Sequence, residues 1–322
     1  MKTNIVIPGL TRNLLLLGLL SLCACTQTLT REEPRELSLR AVAAAATKAD
    51  PELKGTTLPT DGTYEIHTSI SKDNKTYVAN QLFVHNAGTE WHGSPVVYWP
   101  LGGAPVDILA LAYTSTTALA PAWNTTSAAA DVTLSNWDVS ADQLDVLYAT
   151  ANGQTSTSNA GTVSLNFQHA LALICFEAKK SSSSSNIYII EGMSVKGLDC
   201  EGTLKIDNSK TEVANIWTGL TSGNRDLTLK TPSLTVPQAN DVELTDHLLV
   251  IPQASRTVTL TYRVVGMDAG APDLTLTLPL PRVNWKAGHK YTYKLEFSET
   301  EITATVSVAD WDGSHVETIT IS

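Results

Sequence analysis

Lys290-Tyr291-Thr292-Tyr293-Lys294-Leu295-Glu296-Phe297 is the stretch on which the fold turns. Its large apolar and aromatic side chains fall at 291, 293, 295 and 297 with polar residues between them. That period of two puts alternate side chains on opposite faces of a strand. Five residues further on, Ile302-Thr303-Ala304-Thr305-Val306-Ser307-Val308 alternates in the same way.

Read outward from there, the chain predicts strand after strand. Residues 63–70, 76–85, 95–99, 106–113 and 144–149 are expected strands in the first half. Residues 163–176 read as one long strand, and 187–195, 202–206, 226–229, 247–251, 257–265, 274–280 and 315–322 follow as shorter ones. Residues 37–42 alternate in part like a strand, and 37–50 is the one stretch that holds any helical spacing. Between Ala149 and Thr162 runs a polar stretch without apolar periodicity, which marks the expected domain boundary. Short strands at a spacing of roughly 8–12 residues, separated by turn residues, predict β-sandwiches and an all-β fold.

The amino end is of a different kind. Lys2 and Arg12 precede the apolar run Leu14-Leu15-Leu16-Leu17-Gly18-Leu19-Leu20, and Ser21-Leu22-Cys23-Ala24-Cys25 closes it. A basic start, an apolar middle and small residues at the exit make a secretory signal, and the run is well short of the ~20 residues that span a bilayer. The end of the run resembles a bacterial lipobox, which implies cleavage before Cys25 and diacylation of its sulfur. Cys23 does not fit, because bulky Leu22 precedes it. The expected division is therefore a signal peptide over 1–24, a lipidated leader over 25–40, one sandwich over 41–160 and a second over 161–322. More than one acyl chain, at ~0.8 kcal/mol per buried CH2, anchors such a protein to a membrane.

Composition narrows the function classes. Charged residues are 17% of the chain and the net charge is -10, with no basic cluster to displace counterions from nucleic acid. Mild acidity suits a surface protein. Of four cysteines, Cys175 and Cys200 remain after the signal and the lipid are accounted for. Outside the cytoplasm they can pair as a disulfide, but Cys175 sits in an apolar run and reads equally well as a buried thiol. Two cysteines without nearby histidines do not build the usual four-ligand zinc site, so no metal and no cofactor is expected.

No catalytic motif emerges. His67, His85, His92, His169, His247, His289 and His315 are scattered without metal spacing, and no nucleophile elbow or phosphate loop occurs. His169, on an apolar strand, reads as a packed or hydrogen-bonded structural residue. Asp310-Trp311-Asp312-Gly313-Ser314 lacks the glycine and glutamate that a calcium loop needs at its sixth and twelfth places, and a hairpin turn explains it. Trp91, Trp99, Trp123 and Trp137 crowd the first half. Stacked on a surface they would bind sugars, which keeps a glycan-binding lipoprotein of a nutrient-uptake system as the rival reading; packed in a sandwich they are core. A hydrolase without a recognisable motif is the third reading.

Cys25 with its Arg-bearing leader, Tyr98-Trp99-Pro100, Leu147-Tyr148-Ala149, Phe167-Gln168-His169-Ala170, residues 190–197, Gly288-His289-Lys290-Tyr291-Thr292-Tyr293 and Val308-Ala309-Asp310-Trp311 occur in this order. Together these blocks resemble the fimbrillins of Bacteroides-type bacteria. The resemblance implies two transthyretin-like β-sandwich domains in tandem and a pilus subunit or fimbria-associated adhesin. It also implies travel as an outer membrane lipoprotein to the cell surface, and removal of the leader and first strand by an arginine-specific protease. A strand from a neighbouring subunit, identical or paralogous, would then fill the gap by β-augmentation. The partners implied are fimbrial subunits, the outer membrane through the lipid, and a host or bacterial surface receptor. Arg40-Ala41 is the cleavage site this reading selects, with Arg31 and Arg35 as competitors. Val316, Ile319 and Ile321 are either knobs of a donor strand or part of the last strand of their own domain.

Overall fold

The computed structural model describes residues 33–43, 58–114, 119–124, 131–141, 143–158, 160–208, 216–221, 224–229, 233–238, 240–244, 247–266, 272–311 and 316–319. Every regular element among the described residues is a strand. The first nine are β1 (Ser38–Ala43), β2 (Tyr64–Lys72), β3 (Lys75–Ala87), β4 (Glu90–Ser94), β5 (Val106–Thr114), β6 (Ala122–Asn124), β7 (Asp131–Asp138), β8 (Leu147–Gln154) and β9 (Thr162–His169). The next seven are β10 (Ala172–Lys180), β11 (Tyr188–Leu198), β12 (Glu201–Asp207), β13 (Trp217–Thr221), β14 (Arg225–Leu229), β15 (Leu234–Thr235) and β16 (Val242–Glu243). The last six are β17 (Leu248–Val250), β18 (Thr257–Val264), β19 (Leu274–Pro279), β20 (His289–Phe297), β21 (Ile302–Asp310) and β22 (Val316–Ile319).

Seven strands close a barrel in the order β1-β4-β3-β2-β5-β8-β9. Three further sheets surround a second core: β16-β10-β20-β21-β22 with β17 also on β10, β14-β11-β18-β19 with β15 on β11, and β13-β12-β7-β6. The alternating stretches at 290–297 and 302–308 form the hairpin β20–β21, paired without slippage from His289 opposite Asp310 to Phe297 opposite Ile302. β21 and β22 pair antiparallel, from Val306 opposite Ile319 to Ala309 opposite Val316, and the expected turn at Asp312-Gly313 lies outside the described residues.

Two apolar cores share one wall. On β5, Ile108, Ala110 and Ala112 pack into the barrel core, while Leu109, Leu111 and Tyr113 pack into the other. β8 divides likewise, Leu147 and Ala149 facing the barrel and Tyr148 facing away. A strand covered on both faces has no solvent side, which is why 108–113 reads as a continuous apolar run. Burying both faces of β5 at ~25 cal/mol per Å² of apolar area ties the two cores together along this wall.

Four expectations change. The polar stretch at 149–162 belongs to β8 as far as Gln154, and the residues beyond it lead into β9, which hydrogen-bonds to β8 within the barrel, so the cores do not divide at residue 160. β9 belongs to the first core and β7 to the second. The expected long strand 163–176 breaks at Ala170-Leu171, where the chain passes from the barrel to the sheet of β10; β9 alternates, with Ser164, Asn166 and Gln168 exposed, whereas Ala172–Phe176 is buried on both faces. Residues 95–99 are no strand, bridging only through Tyr98 to Glu36, with Val96 and Tyr98 exposed. Of the two readings of 37–50, the helical spacing gives way over its first part to the strand β1, in line with the partial alternation of 37–42, and 44–50 lies outside the described residues.

β7 escapes a period-two reading for a physical reason. Trp137 lies opposite Gly202 and Leu134 opposite Leu204, so two residues of β7 face one of β12. Asn136 takes φ +53 in this bulge. The inward side chains therefore fall at Val132, Leu134 and Trp137 rather than at even steps.

Candidate functional site at the first strand

β1 alternates. Leu37, Leu39 and Ala41 are fully or almost fully buried in the barrel core, whereas Arg40 between them keeps half its side chain (50%) in solvent. The strand is wedged between two neighbours. Ser38 and Leu39 pair antiparallel with His92 and Trp91 of β4, and all of β1 pairs parallel with β9, from Ser38 opposite Thr162 to Ala43 opposite Phe167. β1 thus supplies the seam that closes the barrel.

Polar groups on the approach to β1 hold it in register. Leu37 N donates to Val97 O at 2.8 Å, and Trp99 N donates to Arg35 O at 2.9 Å. Glu90 spans the three strands: its carboxylate accepts from Ser38 Oγ at 3.1 Å and from Thr162 Oγ1 at 3.0 Å. Arg40 Nη2 lies 3.8 Å from the same carboxylate, and Glu36 meets His92 Nδ1 at 2.8 Å. These pairs are exposed or half-exposed, where each is worth about 1 kcal/mol or less. The apolar face therefore dominates the seating of β1, with Leu37 and Leu39 each contributing ~1.5–3 kcal/mol on burial.

Gly161 matters at this seam. It takes φ +99 at the turn into β9, and its carbonyl accepts from both Ser38 N at 3.2 Å and Trp99 Nε1 at 3.0 Å. A Cβ there would stand 2.9 Å from Arg35 Nε. Arg35 itself is tied down, donating to Ser156 O at 3.1 Å and Ala160 O at 2.6 Å.

The other expected site residues fall in different places. Cys25, Arg31 and Ile321 lie outside the described residues. Val316 and Ile319 belong to β22, opposite Ala309 and Val306 of β21, at the margin of its sheet and away from the barrel seam. Trp91, Trp99 and Trp137 are buried and Trp123 is partly covered, so these rings form core and not an exposed sugar platform. His169 is buried at 1% exposure against Asp145. The clamp formed by Glu90, Ser38 and Thr162 carries no linear signal, because its members are brought together only by pairing across three strands.

Cys175 and Cys200 are both buried thiols, not joined as a disulfide. Cys175 lies within β10, whereas Cys200 lies between β11 and β12, where its carbonyl accepts from Val139 N at 2.9 Å. Burial, and then the carboxylate of Asp138, push the Cys200 thiol up to about 11. Because the thiolate is the reactive form, Cys200 is expected to resist alkylation at pH 8 in the folded protein and to label fully in denaturant without reductant. Mass spectrometry of the labelled chain checks this, and a mass showing no label at Cys175 and Cys200 in denaturant would mean a disulfide after all.

A family model described as fimbrillin-like matches residues 47–311, most of the chain. The protein belongs to the fimbrillin-like family. Among solved structures, this fimbrillin-like chain is similar to a fimbrial protein from Bacteroides vulgatus, with TM-score 0.65 and 18% identity over 86% of this chain and 99% of that one. It is also similar to a protein from Bacteroides uniformis described as a cell-adhesion candidate, with TM-score 0.58 and 17% identity over 86% and 99% of the two chains. At these identities the likeness is one of fold. No curated protein sequence matches the fimbrillin-like chain.

Proposed function

We propose that the protein is a non-enzymatic subunit of a cell-surface fimbrium, either a structural unit or a fimbria-associated adhesin. In this reading it is exported to the outer membrane as a lipoprotein anchored at Cys25. An arginine-specific protease then cuts Arg40-Ala41, and a strand from a neighbouring subunit takes the place of β1. In the same reading, the two tandem transthyretin-like sandwiches that the family resemblance implies would correspond to the barrel and the three-sheet region.

One observation carries the proposal: β1 is a single, separately anchored strand whose apolar face completes the barrel core. Of β1, only Ser38 and Leu39 pair with β4, so a cut after Arg40 would release all of β1's pairing to β4 and half of its pairing to β9. Such an edge is a template for another chain, and a donor with apolar residues two apart would fit the places of Leu37 and Leu39. Ile319 and Ile321 have that spacing, whereas Val316 has the opposite parity and would face outward in the same strand. Because the Arg40-Ala41 bond lies within a paired strand, cutting requires β1 to peel away first.

The test uses the full chain and an arginine-specific protease. A single cut after Arg40 is expected, followed by SDS-resistant polymers of this chain or co-polymers with shaft subunits. If the cut chain stays monomeric with and without shaft subunits and binds oligosaccharides instead, the fimbrial reading fails.

A further inference from the structure

A group of side chains far from the first strand has the composition of a metal centre. β10 is paired along its length with β20 on one side, from Leu173 opposite Lys290 to Lys180 opposite Phe297. On its other side it carries two short strands, β17 against residues 172–174 and β16 against residues 177–178. Cys175 stands where the second side changes over from β17 to β16. Glu243 ends β16, and His247 immediately precedes β17.

The thiol of Cys175, a carboxylate oxygen of Glu243 and a ring nitrogen of His247 all lie within 4.8 Å of one another. His247 Nε2 is 3.0 Å from Glu243 Oε1. Cys175 is fully buried and the His247 side chain is 2% exposed, while Glu243 is 32% exposed and reaches solvent. A substrate has no path to such a sulfur, so nucleophilic catalysis is a poor use of this group. A single ion can pass Glu243.

We propose that Cys175, Glu243 and His247 bind a divalent cation of the zinc class. Thiolate and imidazole are the ligands that prefer zinc to calcium or magnesium. A thiolate and a carboxylate together carry two negative charges, so the loaded site is neutral and avoids the cost of a net buried charge. Metal–ligand bonds of about 2 Å at a tetrahedral angle place nitrogen and oxygen roughly 3.3 Å apart, which Glu243 reaches by swinging outward a few tenths of an ångström. The fourth position faces the Glu243 side and takes a water. On binding, the thiol proton leaves to solvent and His247 ligates through the lone pair of one nitrogen with its ring proton on the other. Affinity therefore falls as pH falls. Loading pins the connection between β16 and β17 to β10 and stabilises the second core by linkage. The linear spacing conceals all this, because the cysteine and the other two ligands come from distant segments.

Co2+ is the probe, added to the reduced full chain with C23S and C25S substitutions so that a sulfur signal comes from Cys175 or Cys200. One equivalent is expected to produce a sulfur-to-cobalt charge-transfer band that Zn2+ displaces, and Zn2+ is expected to raise the Tm. Cys175→Ser should abolish the band and Cys200→Ser should leave it. His247→Gln should weaken binding by at least the roughly tenfold that even an outer partner of a ligand is worth. Should Cys175→Ser fail to fold, Glu243→Gln at the half-exposed end decides by the same loss of affinity. No sulfur band in the parent chain, or a band that survives Cys175→Ser, overturns the proposal.

Discussion

Leu39→Ala is expected to lower the unfolding free energy by roughly 2–5 kcal/mol, the range for truncating a fully buried leucine. Leu39 has no exposed surface and faces the barrel core between Trp91 and Val163, its partners on β4 and β9. The strand cannot easily collapse onto the space left behind, because it is held on both sides and its neighbours are core strands. Arg40→Ala, one residue on and pointing to solvent, should change stability by about 1 kcal/mol or less, since it loses only a surface pair with Glu90. Urea unfolding of the two variants beside the parent chain makes the comparison. Equal losses would mean that β1 is not seated in the barrel in solution. A loss of the expected size has a functional corollary. Were the strand cut away as proposed, the barrel would be short of two large apolar side chains, and whatever replaced them would gain a comparable free energy.

Breaking the pair of His169 and Asp145 should be as damaging, at about 3–5 kcal/mol for His169→Ala. His169 Nδ1 lies 2.7 Å from Asp145 Oδ2, with the two side chains 1% and 6% exposed. The imidazole also stacks on Trp311, with centroids 3.8 Å apart and planes 3° from parallel, a contact worth about 0.5–1.5 kcal/mol beyond burial. Removal of the ring leaves the Asp145 carboxylate buried with one oxygen already lacking a hydrogen-bond partner among the described residues. The location amplifies the effect. Asp145 leads into β8 and His169 ends β9, both strands of the barrel, while Trp311 follows β21 of the second core and its backbone N donates to Gly288 O at 2.8 Å. The double change Asp145→Leu with His169→Leu should cost less than His169→Ala alone, because no charge is then stranded. Denaturation followed by tryptophan fluorescence tests both. A double variant no more stable than the sum of its single variants predicts would show that the two residues act independently.

The class of fold was legible because alternation is a local property. Tyr291, Tyr293, Leu295 and Phe297 face one way whatever the rest of the chain does, and β20 and β21 follow from their own residues. The signal-like amino end and the arginine at 40 are likewise local features. Burial of His169 could be expected from its apolar strand, but its partners Asp145 and Trp311 could not, since neither is near it in sequence.

What depended on tertiary structure is everything set by pairing between distant segments. The period of β7 is broken by a bulge whose partner is β12, so no window of β7 alone displays it. Val163–Phe167 alternates and Leu171–Phe176 is apolar throughout, but only their neighbours reveal that one stretch lines the barrel and the other a second core. Cys175, Glu243 and His247 are unremarkable until β10 receives two short strands side by side. The local sequence determined an all-β chain, with Leu37 and Leu39 alternating about a polar residue and with Arg40 beside them. That β1 is the closing strand of a barrel was decided by β4 and β9, because hydrogen bonds across a sheet join residues that sequence distance keeps apart.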